Sequence, residues 1–330
     1  MPRRLVLPAT LAAGLLALAG CSAVPAPATP AEPSARAVTV DNCGFRLTLD
    51  SPPKRVVTIK STTTEMLLAL GLADRIVGAA FLDGPVPERW AKDAADIPVI
   101  SDFAPGQEAV LELEPDLVYA GWESNLAADT AGDRDTLAQL GVESYVAPSA
   151  CKEPGYKPDK LTFEKLFDEF TEAGRVFGAE DAAAALVAEQ RAALADIHPS
   201  TAGLSALWYS SGTDTPYVGA GIGAPQMILE AAGLANVAAD VKDTWTSLGW
   251  EAIIEANPDV IVLVDASWNT AAHKIELLKS NPVTAQLEAV RNERFITIPF
   301  AAGEAGVRNV DAVASITDQL AGLGLGGGHD

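Results

Sequence analysis

Residues 59–65 read Ile-Lys-Ser-Thr-Thr-Thr-Glu. The β-branched run at 55–59 predicts a strand, and the apolar run that follows predicts a helix over 63–70. Lys60, Ser61, Thr62, Thr63 and Thr64 therefore stand at a strand-to-helix corner. A helix start offers spare N–H donors and the positive end of its dipole. A lysine and several hydroxyls beside it make a corner suited to holding an anion. Thr62 with Glu65 three residues on also fits a capping box, which explains one hydroxyl but not Lys60.

Other residues join this set. Trp122, Trp208, Trp245, Trp250 and Trp268 fall at or near strand–helix junctions. Each is either a core tryptophan or a flat wall that stacks on a ligand. Phe81, Tyr209 and Tyr217 are further aromatic candidates, and Ser211 lies in the same stretch as Tyr209. Arg308, past the last predicted strand, suits bidentate pairing with a carboxylate or phosphate. Lys152 offers a point charge; for both, a solvated surface charge is the alternative. The loop Val218-Gly-Ala-Gly-Ile-Gly-Ala-Pro225 lacks the dinucleotide-binding spacing and implies either close approach to a ligand or a tight turn.

Catalysis has little to stand on. The chain contains no G-x-S-x-G, H-E-x-x-H or P-loop, and its three histidines, His198, His273 and His329, are scattered. Three histidines spread this way do not build a free-metal receptor, and no cofactor is implied. The net charge of -21 argues against nucleic acid, which needs a basic footprint.

Strand patterns at 38–40, 45–49, 55–59, 76–80, 98–101, 116–120 and 144–147 are interleaved with helical ones at 63–70, 107–113 and 133–140. Residues 161–197 carry no strand signal and read as helix with a break near Gly178. Strands then return at 206–209, 259–264 and 295–299, with helices at 225–232, 250–256, 272–278 and 310–320. Alternation of this kind predicts parallel βαβ units. Residues 108–119, Glu-Ala-Val-Leu-Glu-Leu-Glu-Pro-Asp-Leu-Val-Tyr, echo residues 251–262, Glu-Ala-Ile-Ile-Glu-Ala-Asn-Pro-Asp-Val-Ile-Val. Each copy reads as helix, turn and buried strand, followed by a loop with tryptophan. The echo predicts two similar α/β lobes with parallel sheets, joined by the helical segment, and a ligand cleft between them at the carboxyl ends of the strands.

The first twenty residues are a signal: Arg3 and Arg4, an apolar stretch, then Leu-Ala-Gly before Cys21. This resembles the lipobox of bacterial lipoproteins, which implies cleavage before Cys21 and a lipid on its sulfur. Residues 21–37 read as a flexible tether and 322–330 as a frayed Gly-rich tail. Of the three cysteines, Cys43 and Cys151 remain, and in an oxidising compartment the pair is expected to be bridged.

The stretches 55–80, 108–121, 140–146, 225–238 and 250–265 resemble the solute-binding lipoproteins of ABC importers. The branch is the one for ferric siderophores, haem and cobalamin, whose lobes are joined by a single long helix. The resemblance implies lobes at 38–158 and 200–321 with the helical linker at 159–199. It implies a monomer outside the membrane, held there through the lipid alone and delivering a small molecule to permease and ATPase subunits. Glu108 and Glu251, at matching places in the echo, match the surface glutamates that meet the permease. Residues 59–71, 149–156 and 208–228 are most similar to an actinobacterial subgroup associated with the deazaflavin precursor F-420-0. A flat ring for the tryptophans, and a phosphodiester and carboxylate for Lys60 and Arg308, would suit that ligand. A ferric siderophore, haem or cobalamin is the alternative.

Overall fold

The structure, a computed structural model, describes residues 37–326. The signal segment, Cys21, the tether up to residue 36 and residues 327–330 lie outside them.

A hairpin, β1 (Val38–Asn42) and β2 (Phe45–Leu49), opens the described chain. The first lobe then alternates β3 (Val56–Ile59), α1 (Ser61–Ala69), β4 (Ile76–Ala80), α2 (Glu88–Ala94), β5 (Val99–Ser101), α3 (Gln107–Leu111), β6 (Leu117–Ala120), α4 (Arg134–Gln139) and β7 (Glu143–Val146). Its sheet is wholly parallel in the order β5-β4-β3-β6-β7. Parallel strands with both faces covered read as continuous apolar runs. β3 and β6 are buried along their whole length.

The hairpin is tied to this sheet in two ways. Asn42 uses its side-chain amide as a strand edge: it donates to Val146 O and accepts from Val146 N, both at 2.8 Å. A disulfide joins Cys43 to Cys151, with Cα atoms 5.2 Å apart.

The linker is two helices rather than the expected long one. α5 (Phe163–Phe177) ends where Gly178 adopts a left-handed φ of 61°, which glycine takes at little cost. α6 (Glu180–Ala195) then turns back antiparallel. Arg191 near its end grips Glu164 near the start of α5 through two 2.5 Å bonds.

The second lobe follows: β8 (Ser205–Ser211), β9 (Tyr217–Gly219), α7 (Ala224–Ala231), β10 (Ala235–Asn236), β11 (Trp245–Ser247), α8 (Trp250–Ala256), β12 (Val260–Asp265), α9 (Ala271–Ser280), α10 (Glu288–Arg291), β13 (Phe295–Pro299) and α11 (Asn309–Gly322). Its sheet runs β11-β9-β8-β12-β13, with β10 also on β8. β8, β10, β12 and β13 are parallel, but β9 and β11 are antiparallel additions. These three-residue strands have no sequence period of their own, and neighbouring strands impose them. The sequence echo corresponds to α3–β6 and α8–β12, which occupy matching places in the two sheets.

One apolar core runs from Met66 and Leu67 of α1 through Phe167, Phe170 and Phe177 of α5 to Trp208, Val262 and Val313. The opposite face of each sheet has its own cluster, around Val118 and Val146 in one lobe and Ile261 and Leu263 in the other. Residues 323–326 are not frayed. Leu325 N donates to Leu320 O at 2.8 Å, and Ser200 Oγ donates to Leu325 O at 3.3 Å.

Glu169 of α5 carries a pH signature. Burial pushes its carboxyl up to about 8, opposed by hydrogen bonds from Ser149 and reinforced by the Glu172 charge. The folded state therefore holds this proton where the unfolded chain, at an ordinary carboxylate pKa, has lost it. Its contribution is full below that ordinary value and is lost as pH rises towards about 8. Thermal unfolding should show a lower Tm at pH 8 than at pH 5. Glu169→Gln should flatten that slope and raise the Tm at pH 8; an unchanged slope would contradict the assignment.

Candidate ligand cleft

A cavity of about 890 Å³ lies between the carboxyl ends of the two sheets. That is within the range of organic-ligand sites. The first lobe contributes Thr62 from the start of α1, Trp122 and Glu123 past β6, and Ser149, Ala150, Lys152 and Glu153 past β7. The second contributes Ser210 and Ser211 at the end of β8, Tyr217, Asp243, Thr244, Trp245, Trp268 past β12, and Phe300 and Glu304 past β13. Placement at strand ends follows the rule for open α/β sheets.

Aromatic walls come from both lobes. Tyr217 and Trp245 lie nearly parallel, 13° apart, with centroids at 5.9 Å. Trp268, 65% exposed, meets Phe300 edge-on at 5.9 Å. Trp122 donates its indole N–H to Glu304 at 3.1 Å, across the lobe boundary.

Seven of the expected ligand-binding candidates line this cavity: Thr62, Trp122, Lys152, Ser211, Tyr217, Trp245 and Trp268. The other nine do not. Lys60 is 1% exposed and paired with Asp83, whose side chain is only 4% exposed. Its ammonium is 3.9 Å from the Trp122 ring centroid, 4.2 Å from Phe81 and 5.0 Å from Phe300. The lysine thus stands behind the aromatic wall, compensated by a carboxylate. Its φ of 86° and ψ of 152° belong to a region nearly reserved for glycine, so the backbone is strained there. The Asp83 contact and the Lys60 N–H donated to Ala80 O at 3.0 Å hold it in place.

The hydroxyls are also engaged internally. Thr63 donates to Ile59 O at 2.9 Å, Thr64 to Lys60 O at 3.2 Å, and Ser61 Oγ accepts from Asp83 N at 2.8 Å. The capping box is absent, because α1 begins at Ser61 with Lys60 as its cap. Glu65 instead turns to Arg308, which binds it bidentately, one contact at 2.6 Å, and donates to Pro85 O at 2.9 Å. Arg308 is therefore a half-buried latch between the lobes, closed on the buried Glu65. Burial raises the Asp83 and Glu65 carboxyls above their usual range, against the pull of Lys60 and Arg308. Phe81 packs behind Trp122 at 5.5 Å. Tyr209 and Trp250 meet edge-on at 5.6 Å and line a separate 330 Å³ pocket on the second lobe.

The glycine loop serves the chain's own packing. A Cβ on Gly221 would lie 1.9 Å from Ala239 O, so this close approach is to backbone. Gly223, by contrast, is on the cavity wall.

Sequence reading missed Phe300, Glu304, Glu123, Glu153 and Asp243. Phe300 and Glu304 follow the last strand, a position the strand-end rule would have flagged. The wall as a whole carries the carboxylates Glu123, Glu153, Asp243 and Glu304 and the single ammonium of Lys152. Lys152 is already committed: it donates to Thr244 Oγ1 at 2.8 Å and lies 3.5 Å from Asp243. Burial raises the Glu304 carboxyl, opposed by Lys60 and the Trp122 hydrogen bond. Asp243 is paired with Lys157 as well, at 3.0 Å, which leaves Glu123, Glu153 and Glu304 to tilt the wall against an anion and towards a neutral or cationic molecule with a broad π or apolar face.

Glu108 and Glu251 are both exposed, each in the first turn of its helix, α3 and α8. Among the described residues no helix is long and apolar enough to cross a membrane.

Comparison with known proteins agrees with this arrangement. The chain is 25% identical over 292 residues to the uncharacterized ABC transporter substrate-binding lipoprotein YvrC of Bacillus subtilis (strain 168), covering 86% of this chain and 85% of that one. It is 31% identical over 274 residues to a cobalamin-binding protein of Halobacterium salinarum, covering 75% of this chain and 67% of that one. A solved structure described as an ABC-type Fe3+-hydroxamate transport system from Saccharomonospora viridis DSM 43017 superposes with a TM-score of 0.72 at 26% identity, covering 86% of this chain and 98% of that one. The family model described as periplasmic binding protein matches residues 56–302. Two lobes, a cleft at their strand ends and a match of that length agree: the chain belongs to the periplasmic binding protein family.

Proposed function

We propose that this chain is the extracytoplasmic solute-binding component of an ABC importer, held to the membrane by a lipid on Cys21. Its ligand is a bulky, non-anionic organic molecule of the corrinoid class. The observation that carries this reading is the cavity wall, aromatic from both lobes and rich in carboxylates, with its one lysine already paired. A corrinoid presents a broad conjugated macrocycle and amide arms, with no net negative charge to be repelled. The relative named as cobalamin-binding, 31% identical, supports the same class. The wall residues Thr62, Trp122, Lys152, Ser211, Tyr217, Trp245 and Trp268 hold the ligand, and Glu108 and Glu251 meet the permease as a monomeric donor docks.

A ferric hydroxamate is the second reading, because a neutral or cationic iron complex suits the same wall, and the Saccharomonospora viridis structure points that way. The deazaflavin precursor F-420-0 needs cations for its phosphodiester and carboxylate. Lys60 and Arg308 are taken by Asp83 and Glu65, which leaves it the tryptophans and Lys152.

Titration of the purified protein by tryptophan fluorescence tests the choice. Cyanocobalamin should quench with a Kd of about 1 µM or below. A cationic ferric hydroxamate should bind more weakly, and the deazaflavin precursor should not bind. Binding of the precursor in preference to both would overturn the reading.

A further inference from the structure

Lys274 is the second fully buried lysine, 0% exposed, in α9. Its ammonium donates to Val264 O at 2.5 Å and Asn269 O at 2.7 Å. Those two carbonyls bracket the turn between β12 and α9. Within it, Ala266 and Asn269 face each other as a small antiparallel bridge, with Asn269 N donating to Ala266 O at 3.0 Å. The far side of the turn is fixed by Asp265, which accepts from Ala271 N at 2.7 Å, and by Thr270, which caps α9. Trp268 stands at the tip of this turn, exposed, on the cavity wall.

Burying an ammonium against neutral carbonyls is costly, and a methionine of similar length would fill the space without that cost. Burial also pulls the amine down to about 8, against the Asp265 charge. What the lysine provides that methionine cannot is two charge-assisted hydrogen bonds that close one turn. We infer that Lys274 is a positioning residue that holds the Ala266–Asn269 turn so that Trp268 presents its ring to the ligand. The inference rests on the cavity being the ligand site.

The test labels the protein with 5-fluorotryptophan and identifies the Trp268 resonance by its loss in Trp268→Phe. In Lys274→Met the Trp268 signal should shift and broaden while the other tryptophan signals stay in place. Lys274→Gln, which keeps a donor, should give a smaller change and covers the case in which methionine does not fold. An unmoved Trp268 signal in both variants overturns the proposal. This arm needs no ligand, so it decides even if the ligand reading fails. With cyanocobalamin as probe, Lys274→Met and Trp268→Ala should each weaken binding by roughly tenfold, the value of one aromatic contact. The double variant should lose no more than Trp268→Ala alone. Losses that multiply would mean Lys274 acts elsewhere.

Discussion

Lys60→Met should cost about 3–5 kcal/mol of stability, the penalty for stripping one partner from a buried ion pair. Lys60 is 1% exposed and Asp83 4%, so water cannot take the place of the lost cation. The stranded carboxyl, already raised by burial, should rise further and take up a proton. The variant should therefore regain stability as pH falls, in the window above the ordinary carboxylate range. Adding Asp83→Asn should recover much of the loss, because an uncharged pair leaves no buried charge. Chemical denaturation at pH 5 and pH 8 measures all three. A Lys60→Met protein as stable as the parent at both values would contradict the buried pair. Lys60 also braces Trp122 and Phe300 from behind, so the same variant should bind ligand more weakly even where it is folded.

Reversing charge at Glu108 and Glu251 together should abolish uptake while leaving ligand affinity unchanged. Both side chains are exposed, and both sit at the start of a helix in matching places of the two sheets. A pair of like charges presented by two similar lobes suits a two-fold partner. Neither residue lines the cavity, so the purified Glu108→Lys/Glu251→Lys protein should titrate ligand like the parent. Uptake in cells should fall by at least about tenfold, as expected when charges at a specific interface are reversed. Each single reversal should give an intermediate loss. Full uptake with both reversed would remove the docking role and leave the glutamates as helix-dipole partners.

Much of the architecture was legible. The echo between residues 108–119 and 251–262 became two helix–strand units in two separate sheets, because burial on both faces forces continuous apolar strands. What was not legible was pairing. The corner at Lys60 shows a cation and hydroxyls, but nothing local says that Asp83, on the loop past β4, has taken the cation. Glu65 and Arg308 are 243 positions apart, so their bond depends on how the lobes meet. The tryptophans were read better, since three of the five candidates line the cleft and strand ends are where clefts form. Trp208 became fully buried core, and Trp250 turned to the outer pocket. Gly178 was visible as a break, but a left-handed turn that folds α6 back on α5 is set by tertiary packing.

The carboxylate-lined cavity is the central claim, and native mass spectrometry of the protein purified from its own host tests it most directly. The spectrum should show one bound organic molecule per chain that is neutral or cationic in solution, with the absorbance of a corrinoid. A bound polyanion such as the deazaflavin precursor, held in place of any corrinoid or ferric complex, would contradict it.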